Sequence, residues 1–211
     1  LGVVKLANVG SNQALNDRSL ELAAHYPDMY SIIGWHPEDS IYYHEEQEKL
    51  LIEQLQSPKV VALGEIGLDY HQTTSPRHIQ KDIFKRQIDI AKQLHLPISV
   101  HNRDAFEDTY DILKEMDVSG IRGVMHSFNG DSEWLKKFLD LGMLVSYSGV
   151  ASFKKTKEIH EAVRQTPFDS MLVETDAPYL APEPLRGKQN EPAYTLYTVE
   201  AIARFCDVNP E

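Results

Sequence analysis

The sequence predicts an α/β protein built on a parallel sheet. Three observations lead there. Apolar runs of strand length recur along the 211 residues. Several are continuous rather than alternating, which marks strands covered on both faces. Segments of helical spacing separate them, and strand–helix alternation means βαβ units. The runs are Val4–Val9, Tyr30–Gly34, Val60–Gly64, Pro97–His101, Gly123–Ser127, Leu144–Ser148 and Met171–Glu174. Seven strands suit a doubly wound open sheet. They equally suit a closed (β/α)8 barrel short of one strand, since that fold needs eight and about 250 residues. The residue pattern by itself leaves both open.

Four helices are marked between and after these runs. Ser75-Pro76 reads as an N-cap and first-turn proline. Ile79, Ile83, Phe84, Ile88, Ala91 and Leu94 then repeat at three-to-four spacing. Phe106, Thr109, Leu113 and Met116 do the same after His101. Leu135, Phe138 and Leu139 follow the Gly130-Asp131 turn. Glu191-Pro192 opens a last helix through Leu196, Val199, Ile202 and Ala203, with Cys206 at its end, expected buried and inert. No linker interrupts the rhythm, so residues 1–211 read as one domain. Ala181–Asn190, rich in proline and glycine, reads as a long loop after the last strand.

Composition narrows the class. A hydrophobic fraction of 42% and a charged fraction of 25% are ordinary for a globular protein. The net charge of −11 excludes non-specific coating of long nucleic acid. It leaves room for a nuclease whose metal ions supply local positive charge. A single cysteine cannot form an internal disulfide, and a reducing, cytoplasmic setting follows. No apolar run is long enough to span a bilayer, and no basic-then-apolar leader opens the chain. No dinucleotide or phosphate-loop fingerprint occurs, so no organic cofactor is expected. The start at Leu1 without methionine and the stop at Glu211 suggest truncation at both ends.

Ionisable residues gather where strands end. Gly34-Trp35-His36-Pro37 ends the second run, Gly64 to Tyr70 the third, and His101-Asn102-Arg103-Asp104 the fourth. His126-Ser127-Phe128 ends the fifth and Glu174-Thr175-Asp176 the seventh. In a parallel barrel such ends share one rim, where active sites form. Carboxylates and imidazoles together suit a divalent cation. Glu65 can bridge two ions, His101 and His126 can complete one side, and Asp176 can bind the second ion and take a proton from water. His36 either shapes its loop or faces the site. His25, His44, His78, His95 and His160 fall in helix or loop patterns and read as non-catalytic. Arg103, Arg186 and Lys188 are candidates for phosphate contact. Trp35, Tyr70, Phe128 and Tyr179 offer rings for base stacking or for packing.

These motifs in this order resemble the TatD family of metal-dependent deoxyribonucleases. The match is carried by Gly64-Glu65-Ile66-Gly67-Leu68-Asp69-Tyr70, His101-Asn102-Arg103-Asp104-Ala105, His126-Ser127-Phe128-Asn129-Gly130 and Val173-Glu174-Thr175-Asp176-Ala177-Pro178-Tyr179-Leu180. Asn8-Val9-Gly10, Gly34-Trp35-His36-Pro37 and Arg186-Gly187-Lys188-Gln189-Asn190-Glu191-Pro192 add to it. The resemblance implies a (β/α)8 TIM barrel of the metal-dependent hydrolase type, here with seven of eight strands. It implies hydrolysis of DNA phosphodiesters, as a 3′-to-5′ exonuclease on single strands or 3′ ends. It implies divalent ions, two in a complete site; the oxygen and nitrogen ligands admit Mg, Mn or Zn. A monomer is expected. On this resemblance Glu65 is the bridging carboxylate, His101 and His126 ligate one metal, and Asp176 contacts the other. Glu174 supports them. The family's His-x-His pair on its first strand has no counterpart in this chain. A 211-residue piece is therefore expected to be weakly active or inactive. Hydrolysis of an amide, lactone or aminoacyl ester, and a non-catalytic remnant, are the alternatives.

Overall fold

A computed structural model describes residues 2–72 and 74–210. The readings on the chain ends, Leu1 and Glu211, lie outside the described residues. Two compact units form among the described residues, one from 4–124 and one from 125–210 with 2–3.

The N-terminal unit alternates β1 (Leu6–Val9), α1 (Gln13–His25), β2 (Met29–Ile33), α2 (Glu45–Gln54), β3 (Val60–Asp69), α3 (Arg77–Leu94), β4 (Ile98–Arg103) and α4 (Phe106–Glu115). β1 pairs with β2, β2 with β3 and β3 with β4, each in parallel. Burial on both faces explains the continuous apolar runs: Leu63, Ile66, Leu68 and Val100 are all fully buried. The predicted stripe of α3 covers this sheet, with Ile83, Phe84, Ile88 and Ala91 buried.

β5 (Gly123–Met125) stands at the join in the chain. The C-terminal unit continues with α5 (Ser132–Asp140), β6 (Met143–Tyr147), α6 (Lys157–Gln165), β7 (Met171–Val173) and α7 (Thr195–Cys206). β6 and β7 pair in parallel. Asp131 caps α5 by accepting from the Glu133 and Trp134 N–H groups. Phe128, Phe138 and Tyr147 meet edge-to-face in the core. The Tyr147 hydroxyl, pushed up to about 12 by burial, bonds Thr166 Oγ1 at 2.7 Å.

All seven predicted strands exist, but four local readings change. β3 runs on through Glu65 to Asp69 instead of ending at Gly64. Its register with β4 slips between Leu63 and Ile66, which inserts one extra residue around Gly64-Glu65. Such a bulge re-aims a side chain without ending the strand. Ser75 does not cap α3; its hydroxyl donates to Glu38 O and accepts from Ile41 N–H. Pro76 takes the cap position, its carbonyl receiving Gln80 N–H. The last helix begins after a short 3-10 turn at Pro192–Tyr194. Cys206 is half-buried rather than buried, and desolvation raises its thiol pKa, which keeps it protonated and unreactive.

Beyond the last β2–β3 pairing, Ile33 with Leu63, side-chain amides replace the ladder. Asn16 accepts from Gly34 N–H and donates to Gly34 O. Gln87 does the same for Trp35, at 2.8 and 3.0 Å. Both amides are buried, so these bonds satisfy backbone groups that water cannot reach. They fix the chain just before His36.

Candidate active site

In the N-terminal unit, β3 and β4 bring three of the motif residues together. Gly67 lies opposite His101 and Asp69 opposite Arg103. Period-two alternation puts Glu65, Asp69 and His101 on one face. Gly67 between them has φ of 144°, and a Cβ there would lie 2.0 Å from the His101 carbonyl oxygen. Only glycine lets the strands approach this closely.

His101 is held at both ring nitrogens. Nε2 lies 2.9 Å from Asp69 Oδ2, and Nδ1 lies 2.7 Å from Glu65 Oε1. Asp69 is 1% exposed, and its other oxygen accepts from the His71 and Gln72 N–H groups, both at 2.9 Å. Burial raises its pKa, but the bonds from His101, Gln72 and His71 outweigh burial and hold it at about 2. Asp69 is thus an anion, and the His101 proton belongs on Nε2. At 2.7 Å the Nδ1 and Glu65 lone pairs need a proton or a cation between them.

His36 both shapes its loop and faces this group. Its Nδ1 accepts from Glu38 N–H at 3.2 Å, opening the 3-10 turn Pro37–Tyr42. Its Nε2 is 3.8 Å from Glu65 Oε1, and its ring meets His101 edge-on at 4.4 Å. Burial, then His101, push its pKa down to about 4 against the pull of Glu65, Asp69 and Asp39. The ring is neutral with its proton on Nε2. His36, Asp69 and His101 place ligand-type atoms close enough for an ion. However, a protonated Nε2 cannot ligate, and Asp69 is already engaged by its three donors. Glu65 and His101 Nδ1 are the better donors to a cation.

The C-terminal unit repeats the arrangement with other residues. His126 follows β5, and Glu174 and Asp176 follow β7. His126 Nδ1 lies 2.6 Å from Glu174 Oε1, a buried atom. As at His101 Nδ1, a proton or a cation must lie between two lone pairs this close. Nε2 lies 3.6 Å from Asp176 Oδ1. Asp176 sits in left-handed backbone with φ of 58°. Asn190, 3% exposed, holds this turn: its amide donates to Thr175 O and Tyr179 O, both at 2.7 Å.

The phosphate candidates are less ordered by the fold. Arg103 is exposed at the end of β4, and its neighbour Asp104 lies 3.4 Å from His71 Nδ1. Arg186 stacks its guanidinium on Phe153 at 4.2 Å, and Lys188 is exposed beyond Gly187. Of the four rings, Trp35 and Phe128 are core residues, each 4% exposed, while Tyr179 is 70% exposed. Tyr70 is half-buried, with Arg77 over its face and its hydroxyl on Asp108. The five other histidines named from sequence stay apart from these clusters; His44 caps α2, His95 ends α3 and His160 stacks on Phe205. Sequence reading passed over Asp69 as a functional residue. Its signal was position: four residues after Glu65 in a strand, it shares that residue's face.

Comparison with known proteins decides the family. The model described as TatD related DNase matches residues 1–211. The chain belongs to this family. It is 42% identical over 209 residues to the uncharacterized metal-dependent hydrolase YabD of Bacillus subtilis, covering 99% of this chain and 82% of that protein. It is 34% identical to the 3′-5′ ssDNA/RNA exonuclease TatD of Salmonella typhimurium, covering 100% of this chain and 83% of that one. The crystal structure of YJJV, a TatD homologue from Escherichia coli, superposes with a TM-score of 0.91 at 26% identity. The superposition covers 97% of this chain and 79% of that one. The fold class is therefore the TIM-barrel type of these hydrolases, with seven strands among the described residues. No helix among the described residues is long and apolar enough to cross a membrane.

Proposed function

We propose that this TatD family member is a divalent-metal phosphodiesterase that removes nucleotides from DNA, acting 3′ to 5′ on single-stranded ends. The observation that carries the reading is the paired histidine design. In each unit two carboxylates flank one imidazole, one at each ring nitrogen. This is how proteins prepare imidazole for metal. The donors are oxygen and neutral nitrogen, which suits Zn or Mn as well as Mg. Glu65, His101, His126 and Asp176 are the proposed ligands for two ions, with Glu65 bridging, His101 and His126 on one ion and Asp176 on the other. Bound divalent ions supply an acidified water and neutralise phosphoryl oxygen. Asp176, more exposed than Glu174, would accept the proton from an attacking water. Glu174 supports His126. Arg103, Arg186 and Lys188 contact phosphates. The name of the Salmonella relative supports the nucleic-acid substrate. The family match across all residues supports reading 1–211 as one domain. A cytoplasmic monomer completes the proposal.

Cleavage of 3′-labelled and 5′-labelled single-stranded oligonucleotides by the full-length protein tests it. We expect EDTA-sensitive cleavage restored by Mg, Mn or Zn and lost in Glu65→Gln and His101→Ala. Absence of cleavage with every metal would transfer the site to amide or ester substrates.

A further inference from the structure

α3 carries two buried glutamines seven residues apart on one face, Gln80 and Gln87, each 1% exposed. Gln87 holds the Trp35 peptide, as described. Gln80 accepts from Asp69 N–H at 2.9 Å and donates to Asp69 O and Ser75 O, also at 2.9 Å. The strand geometry explains why this is needed. Tyr70 N–H bonds Arg103 O on β4, so the alternating backbone turns the Asp69 N–H and C=O to the opposite edge of β3. β2 last pairs with β3 at Leu63. The amide of Gln80 therefore stands where a residue of a longer β2 would be.

The held residue is the one that sets His101. Asp69 Oδ2 bonds His101 Nε2 at 2.9 Å, and that bond leaves Nδ1 toward Glu65 at 2.7 Å. Turning the Asp69 peptide would swing its carboxylate off the imidazole. We propose that Gln80 is a positioning residue of the metal site, acting through Asp69 to keep His101 protonated on Nε2 with Nδ1 turned to the ion. This inference rests on reading His101 as a metal ligand.

The test uses full-length protein with 15N-labelled histidine and Zn2+ as the probe. Zinc affinity is measured by calorimetry on metal-free protein, and the His101 tautomer by ring 15N shifts. The wild type should show Nε2–H. Gln80→Met, which keeps the volume and loses all three bonds, should weaken zinc binding about 10–100-fold and erase the Nε2–H signature. Gln80→Glu keeps the acceptor for Asp69 N–H and loses the donations, and should shift both readouts the same way. Tyr147→Phe removes a buried bond outside this cluster, to Thr166 Oγ1, and should leave His101 unchanged, which separates positioning from general loosening. Zinc affinity and tautomer at wild-type values in both Gln80 variants, with His101→Ala defective, would overturn the positioning role alone. Wild-type zinc affinity in His101→Ala would remove the ligand reading, and this proposal with it. An Nδ1–H signature in the zinc-loaded wild type overturns it without any variant having to fold.

Discussion

The two histidine clusters each set a carboxylate at both ring nitrogens, with unequal support. In the N-terminal unit a buried acid, Asp69, takes the Nε2 proton and Nδ1 faces Glu65. In the C-terminal unit Glu174 stands 2.6 Å from Nδ1 and Asp176 3.6 Å from Nε2. The supports also differ. Asp69 and Glu65 lie within a ten-residue strand, and Asp69 is 1% exposed. Glu174 and Asp176 sit in the turn after a three-residue strand, with side chains 23% and 30% exposed. The comparison teaches that a long strand can fix a carboxylate against the ring in a buried setting, whereas a turn after a short strand leaves its carboxylates open to water.

The largest expected effect separates the outer carboxylates from the inner ones. Asp176→Asn should lower kcat by about 10²–10⁴-fold, the range for a lost proton acceptor, with KM little changed. Steady-state hydrolysis at saturating metal measures this, and a loss below tenfold would take proton handling away from Asp176. Next comes the shared design itself. Asp69→Asn and Glu174→Gln each exchange an acceptor for a donor and should each weaken metal binding about 10–100-fold, read by calorimetry. If only one variant weakens it, the two clusters are not equivalent.

The smallest effect concerns the buttress beside β3. Lys81 Nζ lies 2.6 Å from Asp108 Oδ1, and Tyr70 donates to Asp108 Oδ2. Burial raises the Asp108 pKa, but the bonds from Lys81 and Tyr70 outweigh it and leave it lowered. A lowered folded-state pKa stabilises above the unfolded value, near 3.8, and the stabilisation fades as pH falls through the folded value. The Asp108 side chain is 35% exposed, so the contribution is at most about 1 kcal/mol. Asp108→Asn should lower the melting temperature at pH 7, and the difference from wild type should shrink as pH falls below 3.8. A constant difference across that range would assign the effect to packing.

The strands were legible because burial on both faces writes continuous apolar runs, as in Val60–Gly64 and Pro97–His101. The proposed ligands were legible because chemistry-bearing residues stand at those runs' ends. What escaped depends on long-range register. The bulge near Gly64-Glu65 appears only when β3 is set against β4. Asp69 and His101 are 32 residues apart, and their bond needs that register. Ser75-Pro76 carries a good local capping signal, yet the Ser75 hydroxyl is drawn to Glu38 and Ile41 instead. Local preference yields there to a tertiary bond.

The amides that brace the strand ends bind peptide groups, not side chains. Gln80 and Gln87 would grip any non-proline residue placed at positions 69 and 35. The scaffold and the reactive groups it presents can therefore change independently. A lineage, or an engineer, can rewrite the residue at position 69 and still inherit its backbone placement.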